Sequence, residues 1–283
     1  MNDILWRGMT RAELDAAYDN RSAVKNSAAK VADWSERSAR FRDAHGELLD
    51  LVYGARPRNR IDIFRSGAKA APLLVFLHGG YWQRNAKDMF ACLAEGPLAR
   101  GVDVALAGYT LAPEATLTDI VAEVRAAVAW LRAEGPRHGV GSNRLVVSGW
   151  SAGGHLTAMT TDMPGVDAGI AISGIYDLEP CRLNNLNDAL RLTPSEAAAM
   201  SPLRHVPRHA APLVVAYGAA ELPELQRQSR DYCAALRAAG LTAELMPLAG
   251  HDHFSILEEL ANPTGRLVDV ALRLAAADAR SVK

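Results

Sequence analysis

Three cysteines in 283 residues, an odd number with no CxxC pair, leave little from which to build a disulfide framework or a thiolate zinc site. Cys92, Cys181 and Cys233 are each expected to be small apolar fillers. No apolar run reaches the roughly 18 residues that a membrane-spanning helix needs, so no membrane partner is expected. Charge of one sign is lacking too: 31 Lys and Arg stand against 32 Asp and Glu, a formal net charge of −1. That excludes a global electrostatic hold on nucleic acid or on an anionic bilayer. The first residues, MNDILWRGMTRAELDAAYDNR, are charged throughout and lack the apolar core of a secretory signal. A cytoplasmic location is expected. Internal repeats and low-complexity segments are missing as well.

What remains is an ordinary globular composition, 49% hydrophobic and 22% charged. A chain this long can bury a core that needs neither disulfides nor structural metal. Residues 1–45 read as a helical arm, with Leu14, Ala17 and Tyr18 at helical spacing and Val31, Trp34 and Phe41 among charges. The arm is expected to pack on the domain; a lid or a subunit contact in a homodimer are its other readings. Strands are expected at 47–53 and 61–64, paired as a hairpin. From residue 72 the pattern becomes α/β. Continuous apolar runs at 73–77, 102–107, 144–148, 168–172, 213–217 and 242–246 read as strands, most of them covered on both faces. Helical stretches at about 86–100, 117–134, 152–161, 223–239 and 254–278 alternate with them. Residues 177–210, rich in Asn, Pro, Arg and Glu, interrupt the rhythm and read as a small cap or lid inserted over one sheet edge. The expectation is one α/β domain over 1–283, with a mostly parallel central sheet flanked by helices.

The chemistry concentrates after strands. Gly149-Trp150-Ser151-Ala152-Gly153 is a G-x-S-x-G, a string expected roughly 0.1 times by chance at average usage. Its position between a strand and a helix makes it a nucleophile elbow, a turn so tight that glycines must flank the serine. His78-Gly79-Gly80-Tyr81-Trp82 ends another strand. Amides of Gly79, Gly80 or Tyr81, with that of Ala152, could form an oxyanion hole, because glycine lets backbone approach a substrate oxygen closely. In the order serine, acid, histidine, the acid should follow the strand 213–217. Glu221 is the first carboxylate there and Glu224 the second. The base should lie in Gly250-His251-Asp252-His253-Phe254, where at most one of two histidines two residues apart can point at Ser151. His78 and His155 read as structural. The HDH string is not expected to hold a metal, and no cofactor is implied.

These motifs resemble the α/β-hydrolase kynurenine formamidases (arylformamidases) and related bacterial esterases. The resemblance spans most of the chain: HGGYWQ at 78–83, YTLAP at 109–113, TLTDIV at 116–121, GWSAGGHL at 149–156, SGIYDLEP at 173–180, ELPELQRQS at 221–229 and HDHFSILEEL at 251–260. It implies the α/β-hydrolase fold and a catalytic triad of Ser151, Glu221 and His253, with His253 in the DHF motif preferred to His251. Two positions depart from what the animal enzymes would carry: glutamate rather than aspartate at 221, and GWS rather than GHS at the elbow.

The leading expectation is a metal-independent serine hydrolase working through an acyl-enzyme. Its substrate would be a small aromatic amide or ester, most simply an aryl formamide such as N-formylkynurenine. A broad short-chain carboxylesterase is the alternative, and a non-catalytic hydrolase-fold binding protein a remote one. Trp82, Trp150, Tyr81 and Tyr176 are expected to reach the mouth as aromatic walls for substrate; packing under the 177–210 segment is their other reading.

Overall fold

A computed structural model describes residues 3–276. Eight strands form one sheet: β1 Leu51–Val52, β2 Arg60–Phe64, β3 Leu73–Leu77, β4 Asp103–Ala107, β5 Leu145–Trp150, β6 Ala168–Ile172, β7 Leu213–Gly218 and β8 Ala243–Leu248. Their order is β1-β2-β4-β3-β5-β6-β7-β8. β2 pairs antiparallel with both neighbours, and every other pairing is parallel. This is the α/β-hydrolase arrangement, and the expected hairpin is its first corner. The first expected strand, 47–53, is cut to two residues because Gly46–Leu48 coil into a short helical turn.

Strand alternation explains why the central runs are apolar throughout. Leu73, Val75 and Leu77 join a core on one face with Val147, Ile120 and Val124. Leu74 and Phe76 join a second core on the other face with Val146, Ile170 and Val268. A sheet covered on both faces has no polar side to present. The helix Leu117–Ala133 follows its expected span and starts with a capping box from Thr116 and Asp119.

The arm breaks into three helices, Arg11–Ala17, Asn20–Ala23 and Ser27–Ala44. Leu14 and Tyr18 pack into the first core, while Trp34 and Phe41 pack into the second. The stretch between them therefore passes from one face of the sheet to the other. Its far end is pinned by a buried ion cluster: Arg42 and Lys87 both meet Asp62 of β2, the Lys87–Asp62 contact at 2.7 Å. Residues 177–210 hold three short helices, Glu179–Leu183, Asn187–Leu190 and Pro194–Ala199. At the other end of the chain, helix Arg266–Ala276 closes the described part. The last two residues of the expected helix 254–278, with Met1 and Asn2 of the arm, lie outside the described residues. Among the described residues no helix is long and apolar enough to cross a membrane.

Candidate active site

Parallel pairing brings the chemistry-bearing loops together. Leu77 of β3 lies opposite Gly149 of β5, Trp150 opposite Ile172 of β6, Ile172 opposite Ala216 of β7, and Gly218 opposite Leu248 of β8. The segments that follow these residues emerge side by side along one edge of the sheet, where open α/β sheets place their ligands.

β5 runs directly into Ser151, which adopts φ 58° and ψ −115° before the helix Ala152–Ala158. That backbone conformation is costly for any residue with a side chain, on the order of 1–3 kcal/mol. Packing enforces it: a Cβ on Gly153 would sit 1.9 Å from the Leu77 carbonyl oxygen. Glycine there lets the helix start against β3. The Ser151 amide donates to the Ile172 carbonyl at 2.8 Å. Its hydroxyl makes no hydrogen bond among the described residues.

Glu221 and His253 meet as a pair. His253 Nδ1 lies 3.3 Å from Glu221 Oε2, and both side chains are almost wholly buried. The second carboxylate oxygen, Oε1, accepts from the Gly218 amide at 2.6 Å and from Ser173 Oγ at 2.5 Å. Ser173, just beyond β6, is itself a buried non-glycine residue at φ 53°. The sequence reading assigned it no role, although it opens the SGIYDLEP motif and stands immediately after a strand. On the histidine side, Trp150 Nε1 donates to the His253 carbonyl at 2.7 Å, and the two rings lie 5.0 Å apart. Asp252 Oδ1 accepts from the Phe254 and Ser255 amides and so closes the turn that presents His253.

The competing residues are engaged elsewhere. His251 Nε2 pairs with Glu259 at 3.0 Å, and its Nδ1 donates to the Ser255 carbonyl. Glu224 is held by Arg227 through two contacts of 2.8 Å and accepts from Tyr18 at 3.3 Å. Burial works against the charge of Glu224, but the Arg227 guanidinium keeps its carboxyl below the usual carboxylate range. His78 stacks on Tyr109 with ring centres 4.2 Å apart, and His155 Nε2 donates to the Met200 carbonyl. Burial lowers both of these histidines to about 4, so both are neutral near pH 7.

Ser151 and His253 open into one cavity of about 190 Å³, with Gly80, Tyr81 and Trp150 among its lining. The loop that carries Gly79 packs against the elbow, since a Cβ on Gly79 would lie 3.0 Å from that of Ser151. Among the described residues, the amides of Gly79, Gly80, Tyr81 and Ala152 donate to no protein acceptor. Two expected aromatic walls do not reach this space. Trp82 is fully buried with His155 against its ring, and Tyr176 is fully buried on Tyr232. Tyr18 and Phe254 take their places beside Tyr81 and Trp150.

The far wall comes from the arm, for which the sequence offered a lid only as a second reading and named no lining residue. Asp15, Tyr18, Asp19, Asn20, Arg21 and Val31 line the cavity, and residues 177–210 add Asn185 and Leu186. The acids here are occupied: Asp15 by Arg11 and the Asn185 amide, Asp19 by Ser22. Arg21 and Arg84 also line the mouth and have no carboxylate partner among the described residues. The three cysteines are buried and free. Among the described residues no group of three or more His, Cys, Asp or Glu could hold a metal ion.

Known proteins carry the same architecture. A family model described as BD-FAE matches residues 61–169. Kynurenine formamidase of Danio rerio is 31% identical over 290 residues, covering 95% of this chain and 98% of the fish protein. The esterase LipC of Mycobacterium tuberculosis is 28% identical, covering 74% of this chain and 60% of its own. A crystal structure from a Silicibacter species, provisionally described as a thioesterase, superposes with a TM-score of 0.83 at 30% identity. It covers 91% of this chain and 98% of that one. With such identity to the fish enzyme along nearly the whole of both proteins, the chain belongs to the kynurenine formamidase family of α/β-hydrolases and is a hydrolase.

Proposed function

We propose that this hydrolase removes a small acyl group, formyl or acetyl, from an aromatic amide or ester, with an N-formylkynurenine-type formamide as its substrate. One observation carries the reading: a buried Glu221–His253 pair and a serine at φ 58° open on the same cavity. In this mechanism Ser151 Oγ adds to the carbonyl carbon while His253 takes its proton. Glu221 holds the imidazole through Nδ1 and stabilises its positive charge. The new oxyanion lies against the amides of Gly80, Tyr81 and Ala152, a contribution of about 10²–10³ in rate for each donor. Collapse of the adduct expels the aryl amine, which leaves with the proton from His253. Water, deprotonated by the same histidine, then attacks the acyl-Ser151 ester and releases formate.

Two features support a formamide of this kind. A formyl carbon bears only hydrogen, which suits a small cavity. The aromatic ring would lie among Tyr18, Tyr81, Trp150 and Phe254. Arg21 and Arg84 would then face the carboxylate at the far end of such a substrate. The chain is taken as one domain, 1–283, whose arm and 177–210 cap border the substrate. A short-chain carboxylesterase is the second reading, supported by the likeness to an esterase of Mycobacterium tuberculosis.

The test is kcat/KM for N-formyl-L-kynurenine beside p-nitrophenyl esters of increasing acyl length. The formamide should be the better substrate, formyl and acetyl esters should follow, and chains beyond about four carbons should fail. Equal or better turnover of octanoyl esters would leave the esterase reading alone.

A further inference from the structure

The loop after β3 holds three successive residues in the left-handed half of backbone space: Gly80 at φ 125°, Tyr81 at φ 50° and Trp82 at φ 57°. Glycine adopts this freely, but tyrosine and tryptophan do so only when something holds them. Trp82 is held by complete burial. Tyr81 is only partly buried, and its ring lines the cavity. The turn is closed by the Gly80 carbonyl, which accepts the Gln83 and Arg84 amides, and the Tyr81 side chain is tied by its hydroxyl, which donates to the Tyr18 carbonyl at 2.6 Å and accepts from Asn20 Nδ2 at 3.0 Å. Both partners belong to the arm.

Those partners are anchored in turn. Tyr18 is 2% exposed, and its own hydroxyl accepts from Gln228 Nε2 at 2.8 Å and donates to Glu224. Gln228 Oε1 accepts the amides of Tyr176 and Asp177. Asn20 is 4% exposed and starts a turn capped by Asp19. The clamp on Tyr81 is therefore a rigid one, reaching through the arm to the helix Pro223–Ala238. Its other end is the backbone that carries the Gly80 and Tyr81 amides.

We propose that the N-terminal arm is a working part of the catalytic apparatus. Tyr18 and Asn20 act as positioning residues: by gripping the Tyr81 hydroxyl they keep Tyr81 at positive φ, and so keep the Gly80 and Tyr81 amides turned toward the oxyanion. This rests on the reading of Ser151 as nucleophile and of these amides as oxyanion donors. A misplacement of about 1 Å at such a centre is enough to cost about 10²-fold in rate. Release of the clamp acts on the transition state and leaves ground-state binding largely intact, so its signature is a fall in kcat at nearly constant KM.

The test compares Tyr81→Phe, Asn20→Ala, Tyr81→Ala and Tyr81→Gly in the full chain, with Ser151→Ala as reference and N-formyl-L-kynurenine or p-nitrophenyl acetate as substrate. Tyr81→Phe keeps the ring and loses only the hydroxyl. Its kcat should fall at least tenfold with KM within twofold and Tm nearly unchanged, and Asn20→Ala should move the same way by less. Tyr81→Gly should retain more activity than Tyr81→Ala, because glycine takes φ 50° without a clamp. Wild-type kcat in Tyr81→Phe, or equal activity of the alanine and glycine variants, overturns the clamp while Ser151→Ala is inactive. An active Ser151→Ala variant overturns the underlying reading and the clamp with it.

Discussion

On the sheet side of the cavity, each residue of the proposed triad is fixed by covalent geometry and buried hydrogen bonds. Ser151 is locked between β5 and a helix whose second residue is Gly153, and Glu221 by Gly218 and Ser173. His253 is fixed by Glu221 and Trp150. At the mouth, outside the buried Tyr18 and Asn20 of the clamp, the cavity meets Asp19, Arg21 and Arg84, all exposed. The difference separates two jobs. A rigid wall can hold reacting atoms to a fraction of an ångström, whereas long exposed side chains can only select and steer what enters.

Substitutions on the sheet side should break this comparison hardest. Ser151→Ala should lower kcat at least about a thousandfold while the fold and Tm stay intact. His253→Ala should match it. Glu221→Ala should cost about 10⁴ in kcat, as when the acid of such a triad is replaced. His251→Ala and Glu224→Ala should each stay within about tenfold of wild type, because these residues serve Glu259 and Arg227. Ser173→Ala, which removes one of two hydrogen bonds to Glu221 Oε1, should fall between, near tenfold. If His251 or Glu224 proved the more damaging member of its pair, the assignment on this wall would be off by one motif position.

At the exposed arginines of the mouth the effects should be smaller and lie in KM. Arg21→Ala and Arg84→Ala should each raise KM for N-formyl-L-kynurenine about two- to fivefold, as expected for exposed charge pairs, and the effect should shrink with added salt. Neither should change KM for a neutral p-nitrophenyl ester. Identical effects on charged and neutral substrates would remove the steering role and leave these arginines as surface charge.

His78 and His155 have folded-state values near 4 because burial disfavours their charge. An unfolded chain protonates them at about 6.5. Their depressed values mean that the stability they contribute is complete above pH 6.5 and drains away as pH falls toward 4. Urea unfolding should therefore show a free energy that declines between pH 7 and pH 4. The decline should be shallower in His155→Gln, which retains a donor for the Met200 carbonyl. A profile unchanged by that substitution would mean that His155 is not neutral and buried in solution.

The same two walls differ in how far the sequence revealed them. The sheet side was legible because its constraints are local: a serine between glycines after an apolar run, and a histidine after the last strand. Glu221 was legible from chain order, and the structure brings its carboxylate to His253 rather than that of Glu224. The strand runs were legible because both faces of the sheet are buried. The expected strand 47–53 shrank because a turn at Gly46 competes with it. For the arm the sequence offered no more than a lid as one reading, since Tyr18 and Asn20 act through contacts with Tyr81, more than sixty positions away in the chain. At helical spacing Tyr18 reads as a core residue, which it also is. Trp82 and Tyr176 show the converse failure. Position beside a motif placed them near the site, but strand and loop geometry turned both rings inward.

Everything proposed for the sheet side depends on Ser151 being a nucleophile activated by His253. Fluorophosphonate labelling of the full chain, read by peptide mass spectrometry, tests it most directly. A single adduct should form on the peptide carrying Ser151, rapidly in wild type and at least about a hundredfold more slowly in His253→Ala. Modification elsewhere, or equal labelling of Ser151 with and without His253, would contradict it.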